Sequence, residues 1–146
     1  MDNKRECFHA TLDSLSLQSS NFELLGELEG TVNINFSAQL DLKIKNEVTK
    51  LNENEVFVVS LKGVVNGSQT TDADKDIFKG DCVLVGKFKV KSKKGIGADK
   101  IKHSLGFYGL QIYPLLREHI KENLSKMNIN SNDMPWDIGI GAARVE

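Results

Sequence analysis

The sequence contains few of the features that mark a secreted or membrane protein. It has two cysteines, Cys7 and Cys82, in 146 residues, and they form no Cys-x-x-Cys pair. So few cysteines exclude a disulfide-rich secreted scaffold and fit reduced thiols in the cytosol. Met1–Glu6 contains no apolar segment, and no apolar run approaches the length of a membrane span. We therefore predict a cytoplasmic chain with no signal peptide and no membrane insertion.

An excess of charge of either sign is also missing. The chain has 19 Lys and Arg against 20 Asp and Glu, a net charge of −1. This balance gives no general attraction to nucleic acid or to an anionic membrane, and we predict neither as a partner. The 40% hydrophobic and 27% charged residues are typical of a soluble globular protein, and the length fits a single domain over residues 1–146.

Alternation of apolar and polar residues predicts four strands. In the clearest one, Val32–Ile44, every even position is apolar and every odd position is polar. Val56–Val65 is apolar in both phases, which predicts a central strand, and Phe78–Val90 is the fourth strand. In the first strand the apolar phase shifts after Asp13-Ser14, which predicts a β-bulge.

Two segments between these strands are predicted to be loops. Residues 19–30 lack clean periodicity and have unusually apolar content for a crossover loop. Asn66-Gly67 begins a polar segment that continues through Asp76.

A helical pattern follows the strands. Apolar residues recur at steps of three and four from Ile101 to Met127, and Asp99 is the predicted N-cap. Pro114 lies inside this stripe, where it removes a backbone donor and costs about 3 kcal/mol. A helix that keeps its stripe across such a break must be held by packing. The predicted fold is α+β, a four-stranded antiparallel sheet followed by a long bent helix on one face.

One helix leaves apolar sheet surface uncovered, and its stripe is broader than one sheet face needs. We therefore predict a homo-oligomer. The residues assigned to its interface are those of the stripe: Ile101, Leu105, Tyr108, Ile112, Leu116 and Ile120.

The helical segment resembles the long bent helix of SecB, the protein-export chaperone family. The residues that carry the resemblance are His103-Ser104-Leu105-Gly106-Phe107-Tyr108, Ile112-Tyr113-Pro114 and Arg117-Glu118. Val32–Val65 is similar to the central strand pair of that family and Phe78–Val90 to its next strand. Met134–Ile138 is similar to its Pro-x-Asn-Phe element. The resemblance covers roughly residues 8–138 and implies a homotetramer, a dimer of dimers with the long helices near the tetramer interface.

The same resemblance implies an ATP-independent chaperone that binds non-native polypeptide clients, either in protein export and translocation or for one dedicated client such as an antitoxin. The family has a second helix and a tail that engages the export motor SecA. Here only Gly139–Glu146 follows the matching element, and two glycines in three positions disfavour a helix. The chain is also near neutral, whereas SecB members are acidic. Both departures leave coupling to SecA open.

The client-binding residues are predicted from a set of large apolar side chains outside the main periodic patterns. They are Phe22, Leu24, Leu25, Leu28, Met134, Trp136 and Ile138. A groove for unfolded segments needs large side chains and a soft lining such as Met134, but no catalytic group. The alternative is that these residues form ordinary core under a long loop.

No residues with catalytic or metal-binding spacing are predicted, and we expect no enzyme and no cofactor. Gly80–Lys87 has five residues between its glycines where a phosphate loop has four, and it lies in a predicted strand. His103 and His119 fall on nearly opposite helical faces, and Cys82 is in phase with core residues. A small-ligand binding protein that uses the sheet concavity is the alternative function.

Lysines recur along the end of the fourth strand, at Lys87, Lys89, Lys91, Lys93 and Lys94. They are compatible with a patch for an acidic partner or a nucleic acid. A solvated strand end that discourages edge-to-edge pairing is the interpretation that the sequence favours.

Overall fold

The computed structural model describes residues 9–28, 32–45, 48–69 and 72–130. Their order of elements is β1 (Ala10–Leu24), β2 (Val32–Lys43), β3 (Lys50–Leu51), β4 (Val56–Gln69), β5 (Asp72–Val90), β6 (Ile96–Gly97), α1 (Ala98–His103) and α2 (Leu105–Lys126). The predicted α+β class, with strands first and a long helix after them, is confirmed. Neither helix in these ranges is long and apolar enough to cross a membrane.

The main sheet has four antiparallel strands in the order β1-β5-β4-β2. β4 is an internal strand, as its apolar residues in both phases predict, and β5 is the other internal strand. β1 and β2 form the two edges. The short ribbon of β3 and β6, in which Lys50 pairs with Gly97, has no signal in the sequence pattern.

The predicted bulge in β1 is confirmed. The pairing of β1 with β5 shifts between Leu12 and Ser14, which leaves Asp13 as the extra residue. A second shift between Leu17 and Ser19 was not predicted. Each bulge increases the local twist of the strand and returns its apolar side chains to one face.

Three strands extend beyond their predicted ends. Asn66–Gln69 belongs to β4, Asp72–Ile77 belongs to β5, and β1 continues to Leu24 in the segment predicted to be a crossover loop. The end of β4 was predicted to be a loop because its residues are polar. Asn66 pairs with Asn35 on one side and Lys79 on the other, so its backbone groups lie in a ladder on both sides whatever its side chain prefers.

Helix α2 packs on one face of the sheet, which we call the helix face. Three rings form the centre of the packing near the start of α2: Tyr108 lies 5.0 Å from Phe57 and 4.9 Å from Phe88 between ring centroids. Further along, α2 approaches the strands at two glycines. A Cβ atom at Gly63 would lie 2.9 Å from Ile120 Cδ1, and one at Gly86 would lie 3.0 Å from Ile112 Cδ1. The absence of side chains there lets the helix lie close to the sheet.

The helical segment differs in detail from its prediction. It is divided at Ser104 into α1 and α2, whereas Pro114 lies inside α2 without ending it. The N-cap of α1 is Gly97, and Asp99 instead lies in the first turn, where its charge interacts favourably with the helix dipole. Pro114 is exposed, so its ring does not disturb the packed side of the helix.

The six residues assigned to an oligomer interface lie in the core of the chain itself. Their exposed fractions are 0% for Ile101, 3% for Leu105, 1% for Tyr108 and 0% for Ile112, Leu116 and Ile120. A side chain already packed on its own sheet has no surface left for a second chain. The assignment is therefore corrected: the stripe is the inner side of α2, and an oligomer must use other residues.

Candidate functional site

The end of β1 presents the apolar residues predicted to bind clients. Leu24 is 48% exposed and Leu25 is 44% exposed, although both are large apolar side chains. Phe22 and Leu28 are half-buried and pack against the core cluster. Phe22 and Leu24 belong to β1, and only Leu25 and Leu28 lie beyond the strand. Exposed leucines beside a half-buried aromatic ring form an apolar surface that water solvates poorly.

Phe22 is held from two sides. Its ring lies directly on Gly80 of β5, with which it is paired, and a Cβ atom at Gly80 would overlap the ring. The ring also meets His119 of α2 edge-on, with centroids 6.0 Å apart and planes at 61°. These contacts fix Phe22 between the sheet and the helix, so that Leu24 and Leu25 extend from a rigid base.

The chain beyond β1 is tied to β5 and β4 by its backbone. The Leu25 N–H donates to the carbonyl of Ile77 at 2.8 Å, and Ile77 is 5% exposed. The Gln69 side-chain amide donates to the Glu27 carbonyl at 3.3 Å. Leu25 therefore has a fixed backbone and an exposed side chain, which is the arrangement expected of a binding surface rather than of a frayed end.

Three of the seven predicted client-binding residues, Met134, Trp136 and Ile138, lie outside the described residues. The structure thus brings together Phe22, Leu24, Leu25 and Leu28 at one end of β1.

Next to Phe22 lies a polar cluster that the sequence analysis missed. Ser20 Oγ and His119 Nε2 are hydrogen-bonded at 2.8 Å. The Asn123 side-chain amide donates to the His119 carbonyl at 2.9 Å, one helical turn back. The spacing of His119 and Asn123 signals an intrahelical contact. No sequence signal shows that β1 brings Ser20 to them. The cluster joins the edge strand to the helix beside the apolar surface.

Arg117, which belongs to the SecB-like sequence block, is buried, and the sequence analysis did not predict this burial. It is 2% exposed, and its Nη1 lies 3.2 Å from Glu118 Oε1. Arg117 follows Tyr113 by one turn, and the ring of Tyr113 lies 6.2 Å from that of Phe36 on β2. Arg117 is therefore on the β2 side of the helix, away from the end of β1.

Exposed leucines also lie on α2 outside its packed side, Leu110 one heptad before Arg117 and Leu115 on the opposite flank. Leu115 is 51% exposed and Leu110 is 43% exposed, while Leu17 on the neighbouring edge strand is 47% exposed. Leu115 precedes His119 by one turn, and His119 contacts β1. Leu115 therefore faces the β1 edge of the sheet. Leu115 and Leu17 therefore form a second apolar surface beside β1, which is an edge strand among the described residues.

The groups that could carry chemistry are dispersed. Cys82 is fully buried, as predicted, and burial followed by the nearby charge of Asp81 raises the pKa of its thiol to about 12. The His103 ring donates from Nδ1 to the Asp99 carbonyl at 2.6 Å within α1. In the described part of the chain, no three His, Cys, Asp or Glu residues are grouped to hold a metal ion.

The face of the sheet opposite α2, which we call the outer face, has two concavities among the described residues. One of about 730 Å³ crosses all four strands and includes Ser16, Val85, Ser60 and Asp41 in its lining. Another of about 530 Å³ lies toward the other end of the strands and includes Asn21, Val64 and Asp81. Their size is in the range of small-molecule sites, and their linings mix valine and leucine with serine, amide and carboxylate groups.

No family model matches the sequence, and no curated protein matches it significantly. Among solved structures, the fold is similar to that of the Mycobacterium tuberculosis Rv1957 SecB-like chaperone, in complex with a ChAD peptide from the Rv1956 HigA1 antitoxin. The TM-score is 0.69 at 11% sequence identity, and the alignment covers 90% of this chain and 93% of that chain. The chain therefore has a SecB-like fold over nearly its whole length, as the resemblance of the helical segment implies.

Proposed function

We propose that this chain is an ATP-independent chaperone, a holdase that binds extended non-native polypeptide on the apolar surface formed by Phe22, Leu24, Leu25 and Leu28. The observation that carries the proposal is the exposure of Leu24 and Leu25 on a backbone that is itself fixed by the Leu25–Ile77 hydrogen bond. Leucines at this exposure are poorly solvated, so covering them with client side chains is favourable.

The energetics favour a weak and adaptable site. Burying two or three client side chains contributes roughly 1.5–3 kcal/mol each. The cost of ordering an extended segment offsets much of that gain. One surface therefore binds weakly, and several surfaces on one oligomer would hold a long client through effective concentration. Such a site needs neither nucleotide nor a catalytic group.

The experiment is an aggregation assay with an unrelated unfolded protein and without nucleotide. The double variant Leu24→Ser/Leu25→Ser should lose most of the protection that the wild-type protein gives, because its surface no longer gains from burial. The matched control is Val64→Ser/Val83→Ser, which changes two residues of the outer face, Val64 at 41% exposure and Val83 half-buried. It should protect like the wild type. Adding Trp136→Ser to the first variant tests the part of the site outside the described residues.

Two results would contradict the proposal. If both double variants protect equally, the end of β1 does not bind clients. If the Leu24→Ser/Leu25→Ser variant unfolds, as judged by circular dichroism, these residues are structural core despite their exposure.

The proposal includes a homo-oligomer, with a dimer of dimers as the expected state. Leu115, Leu110 and Leu17 support it, since all three are large, apolar and more than two-fifths exposed. Among the described strands none pairs with the outer edge of β1, so this edge beside Leu115 offers backbone groups to a second copy. An interface of this kind replaces the one first assigned to the buried stripe.

We further propose a dedicated client, such as an antitoxin, in preference to general export. The SecB-like chaperone of similar fold is in complex with an antitoxin peptide, which supports this choice. The chain has a net charge of −1, which argues against the strongly acidic surface expected of export chaperones. Titration of the purified protein with SecA should therefore show no affinity in the range that export requires. Tight binding that is lost on deleting the residues after Ile138 would restore the export role.

The proposed site performs no reaction, so we propose that the chain is not an enzyme and acts in the cytoplasm. The dispersed ionisable groups and the inert thiol of Cys82 support the first point. The alternative, a small-ligand binding protein, would use the 730 Å³ concavity of the outer face. Ligand screening by thermal shift should show no stabilisation that is lost on changing Ser16 or Ser60.

A further inference from the structure

The outer face of the sheet has a cluster of lysines at one end. Lys43 of β2 pairs with Val58 of β4, which in turn pairs with Lys87 of β5, so these three residues form one row across the sheet. Lys89 is two residues further along β5 and therefore points to the same face. From strand geometry, the backbones of Lys43 and Lys87 are about 10 Å apart, and those of Lys87 and Lys89 about 7 Å apart. We call Lys43, Lys87 and Lys89 the lysine cluster.

Aliphatic surface lies between these lysines. Val56 pairs with Lys89 and is 38% exposed, and Val58 lies between Lys43 and Lys87. The 730 Å³ concavity begins at this row, since Lys43 and Val58 belong to its lining. The outer face thus alternates positive charge with apolar contact area beside a hollow.

The charges of the lysine cluster are not neutralised by close partners in the described part of the chain, where none of the three is within ion-pair distance of a carboxylate. The described ion pairs are made elsewhere, for example between Lys79 and Glu23 at 3.9 Å on the other end of the same face. Lys91, Lys93 and Lys94 follow directly after β5, beside the turn that carries Glu53 and Glu55, because the Val90 N–H donates to the Glu55 carbonyl. The lysine cluster therefore places three positive charges at one end of the outer face.

We propose that the lysine cluster docks an acidic, extended polypeptide segment whose carboxylates meet Lys43, Lys87 and Lys89 and whose aliphatic side chains lie on Val56 and Val58. Alternate residues of an extended peptide are about 6.6 Å apart, which matches the separation of Lys87 and Lys89. Charge complementarity of this kind selects the partner and speeds association.

An acidic peptide fits the surface better than a nucleic acid does. Binding of single strands relies on aromatic side chains that stack on the bases. Among the described residues, the aromatic side chains of the sheet are in the phase of the helix face, where Phe57 and Phe88 pack on Tyr108. Around the lysine cluster the outer face offers valine and serine side chains, which suit a peptide, and Asp41 lies two residues before Lys43 on β2.

This proposal is independent of the holdase activity, because the lysine cluster and the end of β1 are on different faces and at opposite ends of β1. The same molecule could hold a client on one surface and an acidic partner, or an acidic part of the client, on the other.

The test is fluorescence anisotropy with a labelled peptide Gly-Glu-Val-Glu-Val-Glu-Gly at low salt. The variant Lys43→Gln/Lys87→Gln/Lys89→Gln should bind it about tenfold or more weakly than the wild-type protein. The matched control Lys75→Gln/Lys102→Gln/Lys126→Gln makes the same change in net charge at other exposed lysines and should bind within about twofold of wild type. A peptide with glutamine in place of glutamate should not bind. Both variants should retain the circular-dichroism spectrum of the wild type.

Three results would overturn the proposal. Equal weakening in the two variants would show a general charge effect without a docking site. Tighter binding of an oligothymidylate than of the acidic peptide, lost in the lysine-cluster variant, would identify a nucleic-acid surface. A lower native mass of that variant would identify the outer face as a contact between copies of this chain.

Discussion

Gly67 on β4 lies beneath the ring of Phe78, the residue with which it pairs on β5. Phe78 has no exposed surface, so its ring occupies space that only a residue without a side chain leaves open. Phe22 and Gly80 repeat this arrangement on the neighbouring strand pair. At both positions a glycine in a strand, which normally weakens it, allows close packing of an aromatic ring.

Substituting alanine for Gly67 should therefore lower the free energy of unfolding by about 1–3 kcal/mol, because the new methyl group overlaps the Phe78 ring and forces it to move. Urea unfolding followed by circular dichroism measures this. Gly26→Ala is the control, since a Cβ atom there would meet only Ile77 Cγ2, at an ordinary 4.0 Å. Equal stability of the two variants would contradict the packing described here.

The burial and the raised pKa of the Cys82 thiol lead to two predictions. Both are tested in a Cys7→Ser variant, in which Cys82 is the remaining cysteine. A thiol-specific reagent should label no cysteine in the folded protein and one in denaturant. Because the pKa rises from 9.0 to about 12 on folding, the unfolded state ionises first as the pH increases. The contribution of Cys82 to stability is complete below pH 9 and falls above it. The difference in free energy of unfolding between the protein with Cys82 and its Cys82→Ala variant should therefore decrease by about 1 kcal/mol between pH 8 and pH 10.

At the scale of elements, α2 continues through Pro114 because its other side is fixed. Ile112 and Leu116, two residues before and after the proline, have no exposed surface. Packing on this inner side compensates for the hydrogen bond that the proline lacks on the exposed side. α2 is therefore one continuous packed helix that lacks a single backbone hydrogen bond at Pro114.

Replacing Pro114 by alanine should raise the free energy of unfolding by about 1–2 kcal/mol. The restored N–H can donate to the Leu110 carbonyl, and the gain of about 3 kcal/mol in a helix exceeds the loss of about 1 kcal/mol from a more flexible unfolded chain. Thermal unfolding measures the change. A lower melting temperature would show that α2 needs the bend of a proline to follow the sheet.

Strands and helices are predictable from the sequence where the apolar pattern matches the face that the structure buries. The strict alternation of β2 and the shift at Asp13 in β1 follow from side chains that share one buried face, and both are visible in one sequence. The extension of β4 through Asn66 is set by partners on both sides, which local residues do not reveal. The division of the helical segment at Ser104 is not marked in the sequence by a proline or a pair of glycines.

The candidate site was predictable only in part, for the same reason. Leu24 and Leu25 were identifiable as large apolar residues without a place in a periodic pattern, and both are more than two-fifths exposed. Ser20 and His119 are brought together by the crossing of α2 over the edge strand, and a contact over that sequence distance has no local signature. The interface failed as a prediction because a stripe shows that a face is buried, but not against which chain.

At the scale of the whole molecule, Leu115 and Leu116 separate assembly from folding. Leu115→Asp should lower the native mass while preserving the circular-dichroism spectrum, because Leu115 is 51% exposed beside the outer edge of β1. Leu116→Asp should instead unfold the chain, since it places an unpaired charge at a position with no exposed surface. Native mass spectrometry and circular dichroism distinguish the two. An unchanged mass for Leu115→Asp, or a monomeric wild type at micromolar concentration, would contradict the proposed oligomer.

The pairing of β1 with β5 has a consequence for synthesis. Ala10 pairs with Val90, so the first strand to leave the ribosome must wait for β5, its partner in the sheet, until most of the other strands have been made. At roughly 5–20 residues per second the wait lasts several seconds. Strand pairs of such high sequence separation form slowly, and until this pair has formed Leu17 and Leu24 are carried on an unpaired segment. A newly synthesised chain is thus itself partly unfolded until β5 has been made. We propose that it protects its clients in this same unfolded state.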